Sequence, residues 1–131
     1  MKYDLVIFDL DGTLMDTSKS ITKTVNSAME ELGKKQYSAN ECVKFVGGGV
    51  SGLARNILGK EKYTDVTNEE MEKVIRKYYD IYFDYGVEPY EGIPELLDFL
   101  EQNGVKKGIV TNKDHETALS AVDKKLSKWK Y

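Results

Sequence analysis

Asp9-Leu10-Asp11-Gly12, set directly behind the apolar run Leu5-Val6-Ile7-Phe8, constrains this chain more than any other stretch. Four consecutive apolar residues stopped by an acidic, glycine-containing turn fit a strand buried on both faces, the pattern of a parallel sheet. A second run, Lys107-Gly108-Ile109-Val110-Thr111, follows Val105 and ends in the polar stretch Thr111-Asn112-Lys113-Asp114. Parallel strands need a crossover, and the sequence between these two runs is helical.

Ile21, Val25, Ala28, Met29 and Leu32 recur at helical spacing, with Gly33 as a stop. Ser38-Ala39-Asn40-Glu41 has capping-box form ahead of a short piece, Cys42 to Val46. After Gly47-Gly48-Gly49, a short helix is predicted over Val50 to Leu58, ended by Gly59. Thr67-Asn68-Glu69-Glu70, a second capping box, opens another, carrying Met71, Val74, Ile75, Tyr78, Ile81, Tyr82 and Tyr85 and closed by Gly86. Pro94 suits a helix first turn, with Leu96, Leu97 and Leu100 as its stripe and Gly104 as its end. Asp114 stands where it can cap a last helix through Ala118, Leu119, Val122 and Leu126. The order predicts an α/β fold. A doubly wound parallel, Rossmann-like core of residues 1–15 and 89–131 carries an inserted all-helical domain, residues 16–88, too long for a simple crossover.

In a parallel sheet, ligands sit at the carboxyl ends of strands. Asp9 and Asp11 are two apart, so an extended chain turns both to one side, and Gly12 lets the backbone turn sharply. Two carboxylates so close repel, and a divalent cation shared with a substrate phosphate relieves the repulsion. Asp9 is then placed to act as a carboxylate nucleophile, and Asp11 to give a proton to the leaving oxygen and later take one from water. Asp and Gly are also common turn residues. The buried strand before them and Thr13-Leu14-Met15-Asp16 after them favour the chemical reading.

Phe8-Asp9-Leu10-Asp11-Gly12-Thr13-Leu14-Met15-Asp16 resembles the first motif of the haloacid dehalogenase superfamily of phosphohydrolases, of the phosphoglycolate phosphatase type. Ile109-Val110-Thr111-Asn112-Lys113 is similar to its second motif. The resemblance implies Asp9 as nucleophile, Asp11 as general acid/base, and Mg2+ held by the Asp9 side chain and the Asp11 backbone carbonyl. It implies that Thr111 and the amide of Asn112 bind the phosphoryl oxygens, and that an all-helical cap follows the first strand. True dehalogenases lack the second aspartate, because a leaving halide needs no proton.

A hydroxyl, backbone amides and a helix N-terminus at Thr111-Asn112 favour an anion, although Asn112 or Asp114 also serves as an ordinary helix cap. Gly47, Gly48 and Gly49 resemble the family's glycine-containing cap loop that reaches a small substrate; a flexible joint between two helices is the equal alternative. Arg55 suits a substrate carboxylate or, more simply, solvent. Cys42 reads as a small buried side chain, the tyrosine-rich helix as core packing, and His115 as surface.

The family's third motif, a lysine, and its later acidic pair have no counterpart: no G-D-x-x-x-D pattern follows Thr111. Lys113 belongs to the second motif and is not that lysine. The expectation is therefore the N-terminal portion of a longer phosphatase, with an incomplete core and an open sheet edge that leaves apolar surface exposed and favours association or disorder near Trp129 to Tyr131. The predicted function is a Mg2+-dependent phosphatase of a small phosphorylated metabolite, phosphoglycolate by resemblance. Alternatives are a catalytically incompetent fragment, a phosphomutase relative, which Thr13 disfavours, and a phospho-accepting signalling domain, which the long helical insertion disfavours. A net charge of −3 gives no electrostatic reason for nucleic acid or anionic membrane. No segment approaches the roughly 20 apolar residues of a membrane span. A lone cysteine and no room for a signal peptide suit the cytoplasm.

Overall fold

The computed structural model describes residues 2–131. Strand β1 (Leu5–Phe8) and the two-residue β2 (Met15–Asp16) precede four helices, α1 (Ser18–Leu32), α2 (Ala39–Lys44), α3 (Gly49–Glu61) and α4 (Asn68–Tyr82). Then come β3 (Glu88–Pro89), α5 (Ile93–Gln102), β4 (Lys106–Ile109) and α6 (His115–Lys125). The chain divides into two compact units: residues 2–17 with Val87–Tyr131, and Ser18–Gly86. Among the described residues no helix is long and apolar enough to cross a membrane.

The helical unit has a closed core. Val25, Ala28 and Met29 of α1, Cys42 of α2, Leu53, Ala54 and Ile57 of α3, and Met71 and Ile75 of α4 are all buried in one cluster. Helix ends follow the sequence signals. Ser38 Oγ accepts from Glu41 N while Glu41 Oε1 accepts from Ser38 N, so the predicted capping box forms. At the second expected capping box only the Thr67 half forms: Thr67 Oγ1 accepts from Glu70 N at 3.1 Å, and Glu70 Oε1 accepts from the Thr67 hydroxyl at 3.2 Å rather than from its backbone amide. Gly33 turns left-handed at φ 68°, and Lys34 N bonds back to Met29 O at 2.8 Å. The loop after α1 is tied down by Asn26, which donates to Tyr37 O and accepts from Tyr37 N, both at 2.8 Å. Two boundaries differ from expectation. α3 runs through Gly59 to Glu61, because nothing there removes a helical hydrogen bond, and α4 stops at Tyr82, three residues before Tyr85.

The sheet unit is built on β1 and β4, paired in parallel with Leu5 opposite Lys106 and Phe8 opposite Ile109. One face packs Val6, Phe8, Val105 and Ile109 against Leu97 and Leu100 of α5 and Ala118 of α6. The other face corrects the expectation of two-sided burial: Leu5 is 51% exposed, Ile7 60% and Val110 67%. α5 and α6 both pack into the one cluster with Val6 and Phe8, so the alternate residues of β1 have no helix over them. β4 also ends earlier than predicted, at Ile109, leaving Val110 and Thr111 in the irregular segment that follows. β2 and β3 form a short antiparallel pair, Met15 opposite Pro89, which two-residue strands cannot announce in a sequence. Trp129 is docked rather than disordered, while Tyr131 stays 41% exposed. Trp129 is buried and its Nε1 donates to Asp98 Oδ1 at 2.8 Å, while Tyr131 Oη donates to Leu126 O at 3.0 Å.

Candidate functional site

The carboxyl ends of β1 and β4 are neighbours. Val110 N donates to Phe8 O at 2.9 Å, so the last ladder bond sits immediately before Asp9 on one strand and Thr111 on the other. Asp9, Asp11, Thr111 and Asn112 are thereby brought to one end of one parallel pair.

Leu10 anchors the first loop. It is fully buried between exposed Asp9 and half-buried Asp11, and its carbonyl accepts from Leu14 N and Met15 N, both at 3.0 Å. Gly12 N closes the loop on Met15 O at 2.8 Å with Gly12 at φ 79°, a left-handed conformation that glycine adopts without strain. Asp9 Oδ1 accepts from Leu10 N at 2.9 Å, which fixes the carboxylate while leaving it open to solvent.

Thr111 Oγ1 accepts from Lys113 N at 3.1 Å. That bond occupies a lone pair and leaves the hydroxyl hydrogen available to an anion. Asn112 is exposed beside it. Asp114 occupies the N-cap position of α6, but its side chain makes no capping bond there.

The sequence reading missed the part played by Lys113. Its side chain is only 4% exposed, and its Nζ lies 3.1 Å from Asp11 Oδ1. The approach is off the line a hydrogen bond requires, so this buried oxygen is ion-paired yet without a hydrogen-bond partner. The signal for it is faint: Thr111 and Lys113 repeat, on the neighbouring strand end, the two-residue spacing of Asp9 and Asp11.

Among the described residues there is no group of three or more acidic, histidine or cysteine side chains arranged to hold a metal. The exposed Asp9 carboxylate nonetheless suits Mg2+, which is commonly held by one or two carboxylates, water and substrate phosphate oxygens. The buried, unbonded Asp11 Oδ1 marks a polar place in need of positive charge, and Lys113 already stands at it.

Gly47, Gly48 and Gly49 belong to the helical unit, with φ values of 145°, 78° and 70°. They form a folded turn, since a Cβ on Gly52 would stand 1.7 Å from Gly47 O. Arg55 is exposed, as the simpler reading has it, and its Nη2 lies over Gly48. Cys42 is buried and His115 is exposed.

A family model described as haloacid dehalogenase-like hydrolase matches residues 6–127. A phosphoglycolate phosphatase of Aquifex aeolicus is 35% identical over 119 residues, covering 91% of this chain and 54% of that protein. The pyrophosphatase PpaX of Halalkalibacterium halodurans is 32% identical over 122 residues, covering 93% and 54%. In structure, a predicted phosphoglycolate phosphatase from Haemophilus somnus superposes with a TM-score of 0.82 at 23% identity, covering 96% of this chain and 59% of that one. This last likeness is one of fold. The chain spans about half the length of the curated relatives it matches.

Proposed function

This chain belongs to the haloacid dehalogenase-like hydrolases, and from that premise we propose that it carries the nucleophile-bearing part of a Mg2+-dependent phosphatase acting on a small phosphorylated metabolite, of the phosphoglycolate type. The observation that carries the reading is the meeting of Asp9, Asp11 and Thr111 at the carboxyl ends of two hydrogen-bonded parallel strands.

The exposed Asp9 carboxylate attacks phosphorus in line and forms an aspartyl-phosphate. Its Oδ1 bond to Leu10 N holds the attacking group in one orientation. Thr111, with its hydroxyl lone pair engaged by Lys113 N, donates its hydrogen to a phosphoryl oxygen, and the Asn112 amide joins it. Asp11 gives a proton to the leaving oxygen and takes one from the water that hydrolyses the intermediate. The Asp9 side chain and the Asp11 backbone carbonyl would hold Mg2+, which when bound neutralises charge between carboxylate and phosphate. The 35% identity to a phosphoglycolate phosphatase supports the substrate class. The PpaX relative, at 32%, favours pyrophosphate as a second reading, to be separated by assaying both substrates.

The test is Asp9→Asn in a form of the protein that turns over a phosphate ester. Asparagine keeps the shape and removes the nucleophile, so turnover falls to background, by about a thousandfold or more. Near-normal turnover would exclude the aspartyl-phosphate route.

A further inference from the structure

Lys113 is the charged group at the strand ends that the proposed chemistry leaves without a task. A lysine side chain 96% removed from solvent is costly unless paired, and its pairing crosses from β4 to the loop after β1. It meets Asp11 at Oδ1, the oxygen that is itself buried and accepts no hydrogen bond. Asp9, by contrast, is exposed, and the described contact of its Oδ1 is with its own chain neighbour Leu10. The two carboxylates are therefore not equivalent, although their spacing alone makes them look so.

We propose that Lys113 is a positioning residue for Asp11: in the substrate-free site it forms with it an internal neutral pair that holds the Asp11 carboxylate in place and keeps it off a bound divalent cation, leaving Asp9 as the open side-chain carboxylate. The inference rests on the reading of Asp9 and Asp11 given above. It changes the explanation of how two aspartates coexist at one strand end. The ammonium offsets one negative charge, and a dication need offset only the other.

The division of labour has a signature in cation binding that a merely structural lysine does not produce. Removing Lys113 alone strips a positive charge from beside the site and frees a carboxylate, so the site binds Mg2+ more tightly, by about fivefold or more. Removing Asp11 alone leaves the ammonium unbalanced and weakens binding by a similar factor. Removing both removes a neutral pair, so affinity stays within about threefold of the unaltered chain.

The experiment uses the 131-residue chain, Mg2+ alone as probe, and backbone amide NMR shifts of residues 9–12 and 111–113 as readout. It compares Lys113→Met, Asp11→Asn, the double variant, Lys113→Arg and Asp9→Asn. The expected result is tighter, weaker, near-unchanged, near-unchanged and abolished binding, in that order. A double variant that loses Mg2+ tenfold or more while keeping a folded spectrum would make Asp11 a direct ligand and overturn the inference. The pairing is also read without metal, from the Asp11 carboxylate 13C resonance at pH 7. That resonance moves in Lys113→Met and is restored in Lys113→Arg. An unmoved resonance overturns the inference whether or not Mg2+ binds. A moved resonance with no Asp9-dependent Mg2+ binding instead upholds the pairing and overturns the metal-binding part of the proposed function.

Discussion

The helical unit and the sheet unit solve the burial problem to different degrees. In the helical unit all four helices turn their apolar faces into one cluster, and even its polar loop after α1 is fastened through Asn26 and Tyr37. In the sheet unit one face of the β1–β4 pair is packed against α5 and α6, while Leu5, Ile7 and Val110 look outward. Yet the less covered unit carries Asp9, Asp11 and Thr111, the side chains to which the chemistry is proposed to belong. Strand ends can present carboxylates and a hydroxyl to one point because a parallel ladder fixes their register. A helical cluster closed on itself has no such edge. Precision at the site comes from the ladder and from Leu10, both independent of whether the outer face is covered.

The sharpest way to break this comparison is to ask the sheet unit for turnover as it stands. On the proposed reading, Asp9, Asp11 and Thr111 supply a nucleophile, an acid/base and a hydrogen-bond donor to the phosphate. The cation beside them, Lys113, is committed to Asp11. The lysine and acidic pair that the family resemblance implies have no counterpart in these 131 residues. Positioned charges of that kind contribute several kcal/mol each to the transition state, and about 1.4 kcal/mol is tenfold in rate. The 131-residue chain is expected to show no Mg2+-dependent phosphatase activity above buffer, a deficit of many orders of magnitude, in an assay with phosphoglycolate or p-nitrophenyl phosphate. Robust metal-dependent hydrolysis would show that its two strand ends carry the whole reaction.

The next test sets one core against the other. Ile75 is fully buried in the helical cluster, and Ile75→Ala is expected to cost about 2–5 kcal/mol on the far-UV circular dichroism transition in urea. Ile7→Thr keeps a β-branched residue on a face that is already 60% exposed, and should change stability by no more than about 0.5 kcal/mol. Equal losses would mean that the outward face of β1 is covered in solution. Within the helical unit, two glycines of α3 divide in the same way. Gly52→Ala drives a Cβ to 1.7 Å from the Gly47 carbonyl and should destabilise by about 1–3 kcal/mol. Gly59→Ala meets nothing within 4 Å and should stabilise by about 0.5–1 kcal/mol.

These contrasts mark how far the sequence was readable. Helix caps at Ser38, Thr67 and Gly33 are local chemistry and sit where their motifs place them. Asp9 and Asp11 were recognisable because strand, turn and carboxylate lie within four residues of each other. The outward exposure of Leu5 and Ile7 was not, because a continuous apolar run looks the same whether helices cover one face or two. Nor was the burial of Lys113, or of Lys107, whose Nζ lies 3.3 Å from Glu101 Oε1. A lysine's default place is the surface, and only long-range packing moves it inside. Gly52 reads as a neutral helix glycine until the Gly47 carbonyl is seen beside it.

The smallest effect sharpens the comparison through pH. In the helical unit, Glu31, Glu41 and Asp65 are held below the usual carboxylate range, chiefly by hydrogen bonds from Lys77, Ser38 and Lys34. In the sheet unit Asp98 is held low, chiefly by the hydrogen bond from the Trp129 indole, with Lys128 assisting against partial desolvation. A depressed folded value means that the stabilisation is present above the unfolded carboxylate pKa of about 4 and is lost as pH falls through the folded value. Trp129 is the only tryptophan in the chain, so its fluorescence reports the sheet unit alone, while far-UV circular dichroism is dominated by the helices. Between pH 5 and 8 neither signal should move. Below about pH 4 both should change, and the Trp129 emission should shift to the red as Asp98 takes up a proton. Asp98→Asn keeps an acceptor oxygen for the indole but cannot titrate. It should remove the local Trp129 step while leaving the acid response of the helices in place. A Trp129 step that persists unchanged in Asp98→Asn would show that the indole reports global acid unfolding, and that the two units lose stability together.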